Sequence, residues 1–108
     1  MMKIGMMLGF EESIKTMTNI ATQAEAAGID SLYTVDAGRS ATVTAAAVIN
    51  ATSSAQVGTY IVNAYARDPW MTGIEARDLN EISGGRFVLG VGTGNLHFND
   101  LYMGIDSS

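Results

Sequence analysis

A chain of 108 residues can form one modest hydrophobic core, and its 47% hydrophobic and 16% charged residues indicate a globular domain rather than a disordered segment. The absence of cysteine excludes disulfides and thiolate metal sites and is compatible with the cytoplasm, where we expect the protein to reside. A net charge of −5 without a basic cluster argues against nucleic-acid and anionic-membrane partners. No apolar run reaches the roughly 18 residues of a transmembrane helix, and the N-terminus lacks a signal-peptide pattern.

The hydrophobic pattern begins with a strand, a helix and a second strand. Mostly apolar runs over residues 3–8 and 31–35 have the length and composition of strands that are buried on both faces. Between them, apolar residues follow at helical spacing from Ile14 onwards. Ser13 can cap this helix, and Gly28 suits the left-handed conformation at its end. The sequence therefore predicts one strand–helix–strand unit here.

The same order continues along the chain. Ser40 can cap an alanine-rich second helix that reaches Asn50, and the run 56–62 predicts a third strand. Pro69 suits the first turn of a third helix, and the run 86–91 predicts a fourth strand. The strand starts recur at an interval close to the roughly 30 residues per unit of a (β/α)8 barrel of about 250 residues.

Strands that alternate with helices predict parallel pairing through right-handed crossovers. The predicted fold class is therefore α/β, as the N-terminal half of a TIM (β/α)8 barrel with about four parallel βα units in one partial domain over 1–108. Four strands cannot close such a barrel, and no further strand is predicted after Asn95. The two outer strands would leave open edges that favour self-association. We therefore expect a fragment, or a half-barrel that pairs as a homo-oligomer.

Residues that follow the strands are candidates for chemistry, since active sites of α/β barrels lie at the carboxyl ends of their strands. Asp36 is either a carboxylate at the barrel mouth that accepts a hydrogen bond from substrate or cofactor, or a turn or capping residue paired with Arg39. The glycines of Gly92–Gly94 either admit a planar ring or a phosphate to the backbone or form a tight turn. They are not a dinucleotide fingerprint, because His97 stands at the position of its third glycine.

Two further polar residues have simpler interpretations. His97 is the only histidine and has neither a second ligand nor a cysteine partner, so we expect no metal site there; it is either a surface-loop residue or a proton donor near the barrel mouth. Arg86 precedes the fourth strand, so we expect it at the floor of the barrel, bonded to carbonyls or to an acid. The sequence has no Ser-His-Asp order and no phosphate loop with Gly-Lys-Ser/Thr, so its chemistry is expected to come from a cofactor.

Three segments in one order carry a resemblance to a known family. They are Val57–Thr59, then Asn63–Pro69 with its Arg-Asp-Pro ending, then Ile82–Gly94. Together they resemble the signature of the luciferase-like monooxygenase superfamily. Within it the nearest resemblance is to the branch that uses coenzyme F420, including methylenetetrahydromethanopterin reductase. The resemblance covers nearly all of this chain and about the first half of a family barrel.

The resemblance implies a site for the ring of FMN or coenzyme F420. Family members carry a cis peptide at the end of strand three, which would fall at Tyr60–Ile61 and support the central ring. Asp36 matches an acidic position near the ring or its proton donor, so it is the predicted catalytic residue. The predicted cofactor contacts are Tyr60, Ile61, Asn63, Gly92, Thr93 and Gly94. Ala37 stands where some deazaflavin enzymes have a histidine.

The activity implied by the resemblance is redox transfer between a reduced flavin or deazaflavin and a small organic substrate or oxygen, in a full-length parent. The 108-residue chain alone is expected to be inactive. One alternative is a truncated or self-associating half-barrel with no complete active site. Another is a different α/β-barrel enzyme whose ligand carries a phosphate. All of the redox hypotheses require Asp36, Ile61 and Gly92 to meet at a common rim.

Overall fold

Strands and helices alternate along residues 2–104, which are the residues that the computed structural model describes. The strands are β1 (Gly5–Met7), β2 (Ser31–Thr34), β3 (Gln56–Thr59), β4 (Val62–Asn63), β5 (Phe87–Val88) and β6 (Val91–Gly92). The helices are α1 (Ile14–Ala26), α2 (Ala41–Ala51), α3 (Pro69–Ile82) and α4 (Leu96–Met103). This order forms four successive strand-to-helix units.

The strand pairs are all parallel. The main sheet has the order β1-β2-β3-β5, and β4 pairs with β6 in a second, smaller sheet. The predicted α/β class with consecutive parallel βα units is confirmed. Because the strands are parallel, their carboxyl ends lie at one edge of the sheet and their amino ends at the other. We call these two edges the rim and the floor.

The helices begin and end where local sequence signals predict. The side chains of Ser13 and Ser40 accept hydrogen bonds from the first turns of α1 and α2, and Asp68 does the same for α3 just before Pro69. Gly28 follows α1 with a φ of 95°, a conformation that favours glycine. The predictions at Ser13, Gly28, Ser40 and Pro69 are therefore confirmed, whereas the cap at Asp68 was not predicted.

The third strand is interrupted, whereas the sequence predicted one strand over 56–62. Regular pairing with β2 ends at Thr59 and a new strand starts at Val62, with the peptide bond between Tyr60 and Ile61 in the cis configuration. The cis bond lies at the position that the family resemblance implied. The first two strands, predicted over 3–8 and 31–35, are shorter by one to three residues.

The fourth strand, predicted over 86–91, is also divided into two. The side chain of Thr59 lies at this break, where its Oγ1 both donates to the carbonyl of Gly90 and accepts from the Gly90 N–H, each at 2.9 Å. The Gly90 N–H thus bonds a side chain, while its carbonyl still accepts from the Val62 amide at 2.9 Å. A Cβ at this position would also overlap the carbonyl oxygen of Thr59, so glycine allows this close approach.

One row of side chains across the sheet forms the core with the helices. Met6, Leu32, Val57 and Phe87 are paired in register, and all four belong to or pack against the buried cluster. The helices cover this row with small and branched apolar side chains, namely Met17, Ala21, Ala24, Ala45, Val48, Ile49 and Leu79. Burial of this face is the main source of stability.

The neighbouring row points to the opposite side of the sheet, since side chains alternate along a strand. It consists of Met7, Tyr33, Gly58 and Val88, and we call this side the inner face. A Cβ on Gly58 would lie 3.0 Å from a ring carbon of Tyr33, so the glycine leaves space for the ring. Met7 is 51% exposed and Val88 is 42% exposed. The inner face therefore has no cover within residues 2–104.

Helix α4 was not predicted from the sequence. Asn95 caps it by accepting a hydrogen bond from the Phe98 N–H, and Gly104 ends it with a φ of 63°. Its apolar side chains do not form one buried stripe, because Leu101 and Tyr102 are exposed and the fully buried side chain is a polar one, Asn99. The helix lies against the rim rather than against the main core.

Candidate cofactor-binding rim

The interruption of strand three brings the rim together. The amide of Tyr60 still bonds the carbonyl of Thr34 at 2.6 Å, but the carbonyl of Ile61 accepts from the Asp36 amide at 3.0 Å. Beyond this point β4 pairs with β6 instead of continuing the main sheet. The backbone therefore carries the end of strand three towards the loop that follows β2.

Asp36 lies at the centre of the rim. One carboxylate oxygen accepts from the Ala41 amide at the start of α2, and the other accepts from the Asn63 amide in β4, both at 2.8 Å. Arg67 binds both oxygens through Nε at 2.7 Å and Nη2 at 2.8 Å. Asp36 thus ties the end of β2 to α2, to β4 and to the loop before α3.

The predicted pairing of Asp36 with Arg39 is wrong. Arg39 instead donates from Nε to the carbonyls of Phe10 at 3.2 Å and Glu12 at 2.9 Å. Arg67 binds the carboxylate instead, because its planar guanidinium group lies opposite both oxygens and donates one hydrogen bond to each. The capping interpretation of Asp36 holds in part, through the bond to Ala41.

The charges at the rim compensate each other. Burial raises the pKa of Asp36, but the hydrogen bonds and charge of Arg67 and the amides of Ala41 and Asn63 outweigh it, so the pKa is below its ordinary value. The hydrogen bond to Asp36 raises the pKa of Arg67. Nη1 of Arg67 also binds Glu75 on α3 at 2.8 Å. Asp36 is therefore an ionised carboxylate near neutral pH.

A buried amide pair continues the network towards α4. Nδ2 of Asn63 donates to Oδ1 of Asn99 at 2.7 Å, and Nδ2 of Asn99 donates to the carbonyl of Thr93 at 3.0 Å. Oδ1 of Asn63 accepts from the Tyr65 amide at 2.9 Å. Asn63 is 4% exposed and Asn99 is fully buried. Both amides thus hold the loop after β6 in place.

Close packing explains why glycine occupies the predicted positions 92 and 94. A Cβ on Gly92 would lie 3.2 Å from the side chain of Ile61, and one on Gly94 would lie 2.6 Å from Nδ2 of Asn63. Gly94 also has a φ of 67°, which favours glycine. These glycines allow β6 and its loop to approach β4. The structure therefore brings Asp36, Ile61 and Gly92 together at one rim.

Two other predicted positions lie at the surface. Thr93 is exposed, and its hydroxyl makes one long contact of 3.4 Å with the carbonyl of Gly94. Tyr60 is 63% exposed and packs edge-on against Tyr33 on the inner face, with ring centroids 6.3 Å apart. Tyr60 thus borders the rim from the inner face, while His97 is exposed in α4 rather than in a loop.

Two concave regions border the network. A hollow of about 230 Å³ is walled by Val35, Ile61 and Phe98 and has the amides of Asn63 and Asn95 at its edge. A wider groove of about 520 Å³ lies between residues 36–40 and α4. Within residues 2–104 no cluster of three metal-ligating side chains occurs. The same residues include no helix of the length and apolarity needed to cross a bilayer.

Neither Asn99 nor the role of Arg67 was predicted from the sequence. Arg67 was recognised as part of a motif, but the spacing of 31 residues from Asp36 carries no local signal for their contact. Asn99 had one available signal, since Asn95 can cap a helix and Asn99 lies one turn further along. That signal points to a helix but not to the partner of Asn99.

Comparison with known proteins shows what this chain is similar to. A family model described as luciferase-like monooxygenase matches residues 1–107. The 5,10-methylenetetrahydromethanopterin reductase of Methanolobus tindarius is 33% identical over 85 residues, which cover 77% of this chain and 26% of that relative. The chain spans about a quarter of the length of the curated relatives that it matches, 27% and 26%.

Solved structures support the same fold. The coenzyme F420-dependent tetrahydromethanopterin reductase from Methanopyrus kandleri superposes with a TM-score of 0.87 at 27% identity, covering 94% of this chain and 30% of that one. The oxygenating constituent of 3,6-diketocamphane monooxygenase from Pseudomonas putida, solved in complex with FMN, has a TM-score of 0.79 at 20% identity, covering 99% of this chain and 34% of that one. The second similarity shows a common fold alone.

Proposed function

Because the chain belongs to the luciferase-like monooxygenase family, we propose that its rim forms part of the cofactor site of an oxidoreductase that uses coenzyme F420 or FMN. The supporting observation is the meeting of Asp36, Ile61 and Gly92 at one edge of a parallel sheet. Ligands of open parallel sheets and of α/β barrels bind at this edge. The substrate would be a small organic molecule, or oxygen in the case of FMN.

Coenzyme F420 is the better supported of the two cofactors. A relative from Mycobacterium tuberculosis described as a putative coenzyme F420-dependent oxidoreductase is 32% identical over 84% of this chain, and the F420-dependent structure at 27% identity covers 94% of it. The structure solved with FMN is only 20% identical, so its support extends to the fold. Either cofactor, when bound, supplies the redox chemistry, and the chain supplies its binding and orientation.

The hollow beside Ile61 fits the edge of a planar heterocycle. Its apolar walls can contact the flat faces of a ring, and its polar edge is formed by amides. One hydrogen of the Asn63 Nδ2 group is used by Asn99, so the second remains for an acceptor atom of the ring. Asn95 uses its side-chain oxygen as the helix cap and keeps its NH2 group.

We propose that Asp36 positions this site rather than exchanging a proton. Both of its oxygens are occupied by Arg67 and by two amides, and its pKa is lowered, so it is poorly suited to donate a proton near neutral pH. Its bond to the Asn63 amide holds β4 at the hollow. The catalytic role predicted from the resemblance would instead place the Asp36 ionisation in the pH profile of the rate.

Nuclear magnetic resonance of the isotope-labelled chain tests the proposal directly. Titration with coenzyme F420 and with FMN should shift the amide resonances of Ile61, Asn63 and Gly92 and leave those of Glu25 and Arg86 at the floor unchanged. We expect weak binding, with a Kd on the order of 0.1–1 mM, because the chain spans only part of its relatives' length. Shifts confined to the floor, or no shifts with either cofactor, would remove the oxidoreductase proposal.

A matched pair of variants controls this experiment. Gly92→Ala places a methyl group 3.2 Å from the side chain of Ile61 and should weaken the shifts at the rim at least about threefold. Gly73→Ala introduces the same group on the exposed side of α3, where it would meet no atom within 4 Å. This variant should bind as the unaltered chain does.

A second candidate is self-association of the chain without a complete site. The exposed inner face favours it, together with the edges of β1 and β5, each of which pairs with only one strand within residues 2–104. Sedimentation velocity over a hundredfold concentration range would distinguish the two states. A monomer throughout would contradict self-association, while a dimer disrupted by Val88→Lys on the inner face would support it.

A further inference from the structure

The wider groove at the rim has one side formed by the loop after β2 and the other by α4. Its volume of about 520 Å³ is in the range of sites for small molecules. Arg39 lines the loop side, and Phe98, Tyr102 and Met103 line the helix side. The groove adjoins the smaller hollow beside Ile61, with which it shares Asp36, Ala37, Asn63 and Phe98, and it extends from there to Arg39 and Tyr102.

Charge is distributed unevenly among the residues that line this groove. Asp36 and Arg67 bind each other through two hydrogen bonds, and Arg67 also binds Glu75 and Ser40. Their charges are therefore internally compensated. Arg39 is the remaining charged side chain in the lining, and within residues 2–104 it forms no ion pair. A chain with a net charge of −5 thus presents a local positive charge here.

Arg39 is also held in position in advance. Its Nε donates to the carbonyls of Phe10 and Glu12 in the loop before α1, which fixes the plane of the guanidinium group. Its two terminal nitrogens make no hydrogen bond to any residue between 2 and 104. A guanidinium group with this arrangement presents two parallel N–H donors, the geometry that binds carboxylate and phosphate oxygens.

The opposite wall is largely apolar and includes two aromatic rings. The rings of Phe98 and Tyr102 pack together with centroids 5.0 Å apart and a tilt of 40°. Tyr102 is 71% exposed, so its ring is available to a ligand as well as to Phe98. Aromatic surfaces of this kind bind planar or apolar bodies, with specificity supplied by a few polar groups.

We propose that this groove binds an anionic ligand, with the carboxylate or phosphate on Arg39 and a flat or apolar body against Phe98 and Tyr102. The ligand is either a substrate acid or the phosphate-bearing part of a flavin cofactor. The proposal stands on the groove itself and does not require that the rim bind a redox cofactor.

Three naphthalene probes test the proposal on the labelled chain. Naphthoate and naphthyl phosphate should shift the Arg39 Nε–H and the amides of Phe98 and Tyr102, while neutral naphthamide should bind at least about tenfold more weakly. Arg39→Gln should remove this preference for the anion, again by about tenfold. Tyr102→Ala should weaken all three probes alike, because it removes the shared apolar contact.

Arg77→Gln is the matched control, since Arg77 is exposed on α3 and lies outside the groove. It should leave the affinity for naphthoate unchanged. Equal weakening by Arg39→Gln and Arg77→Gln would show non-specific charge attraction and overturn the proposal. Naphthamide binding as tightly as naphthoate, or shifts away from Phe98 and Tyr102, would overturn it as well.

Competition distinguishes the two sources of the anion. If FMN displaces naphthoate and riboflavin does not, the anion is the cofactor phosphate. If neither FMN nor coenzyme F420 displaces it, the anion belongs to a substrate, and the site at Arg39 is independent of the cofactor. Failure of the redox proposal would appear as absent shifts at Ile61 and Gly92, while naphthoate would still shift Phe98.

Discussion

The two ends of the parallel sheet use charged side chains in different ways. At the floor, the guanidinium group of Arg86 donates five hydrogen bonds, four of them to the carbonyls of Ser83, Ala55, Ile49 and Thr52. Its predicted position, bonded to carbonyls at the floor, is confirmed. At the rim, the corresponding charges bind each other across three elements, through Asp36, Arg67 and Glu75.

Glu25 also binds main-chain atoms at the floor. Its carboxylate accepts from the amides of Ser53, Ser54 and Ala55 at 2.7–3.1 Å, which joins the end of α1 to the loop before β3. The floor thus binds main-chain atoms that are present in any sequence. The rim depends on pairs of particular side chains and is bordered by concave surface. The difference indicates that the floor stabilises the fold and the rim arranges a site.

The largest effect that would test this difference is expected at the floor. Arg86→Met removes five donors and leaves the carbonyls of Ile49 and Ala55 without them, so we expect a loss of about 3–4 kcal/mol in the free energy of unfolding. Urea denaturation measures it. Arg77→Met, at an exposed arginine on α3, should change stability by less than about 0.5 kcal/mol.

A smaller loss in the free energy of unfolding is expected at the rim, where the change also affects neighbouring residues. Asp36→Asn leaves the partly buried Arg67 with Glu75 as its remaining carboxylate partner, so we expect a loss of about 2–3 kcal/mol. The same variant should move the amide resonances of Ala41 and Asn63, which lose a charged acceptor. Denaturation and amide spectra together provide the measurement.

A double-mutant cycle would sharpen this prediction. The combined variant Asp36→Asn with Arg67→Gln should cost less than the sum of the two single variants, by about 1–2 kcal/mol, because the two side chains share one interaction. Additive losses would contradict a rim built on side-chain pairs. The floor pair Arg86→Met with Glu25→Gln should show a smaller interaction energy, since these two side chains bind no common atom and meet only through the N–H and the carbonyl of Ala55.

A third effect concerns the hydrogen bonds that attach α4 to the rim. Asn99→Ala leaves Nδ2 of Asn63 and the carbonyl of Thr93 without partners, so we expect a loss of about 1–2 kcal/mol and faster hydrogen exchange in α4. Asn80→Ala is the matched control, because Asn80 is exposed on α3. Unchanged exchange in α4 would mean that this helix is held by other contacts.

The same contrast explains which features could be predicted from the sequence. Helix caps at Ser13, Ser40 and Asp68 act within one turn, so their signals are local. Arg86 could be placed at the floor because it directly precedes a strand. The strands follow from short apolar runs, but the prediction that the first of them is buried on both faces is wrong within residues 2–104, because Met7 on the inner face is 51% exposed.

The rim could be predicted only in part, because its contacts join distant residues. Four arginines follow Asp36 in the chain, and the pairing with Arg67 rather than the nearby Arg39 depends on the path of the backbone after Thr59. Helix α4 lacks an apolar stripe, since its buried residue is Asn99. The spacing of residues along the sequence predicts neither the partner of the buried Asn99 amide nor the contact of the Thr59 side chain with Gly90.

The smallest effect, at Glu25, tests whether the floor acts through charge. Burial raises the pKa of Glu25, but the amides of Ala55, Ser54 and Ser53 outweigh it and lower the pKa from 4.5 to about 2. Its contribution is therefore present above pH 4.5 and is lost as the pH falls towards 2. Glu25→Gln should cost about 1 kcal/mol at pH 7, a value reduced by solvent screening, and almost nothing near pH 2. Denaturation at both values measures this, with Glu81→Gln on α3 as the control; a cost that persists at low pH would assign the effect to shape instead of charge.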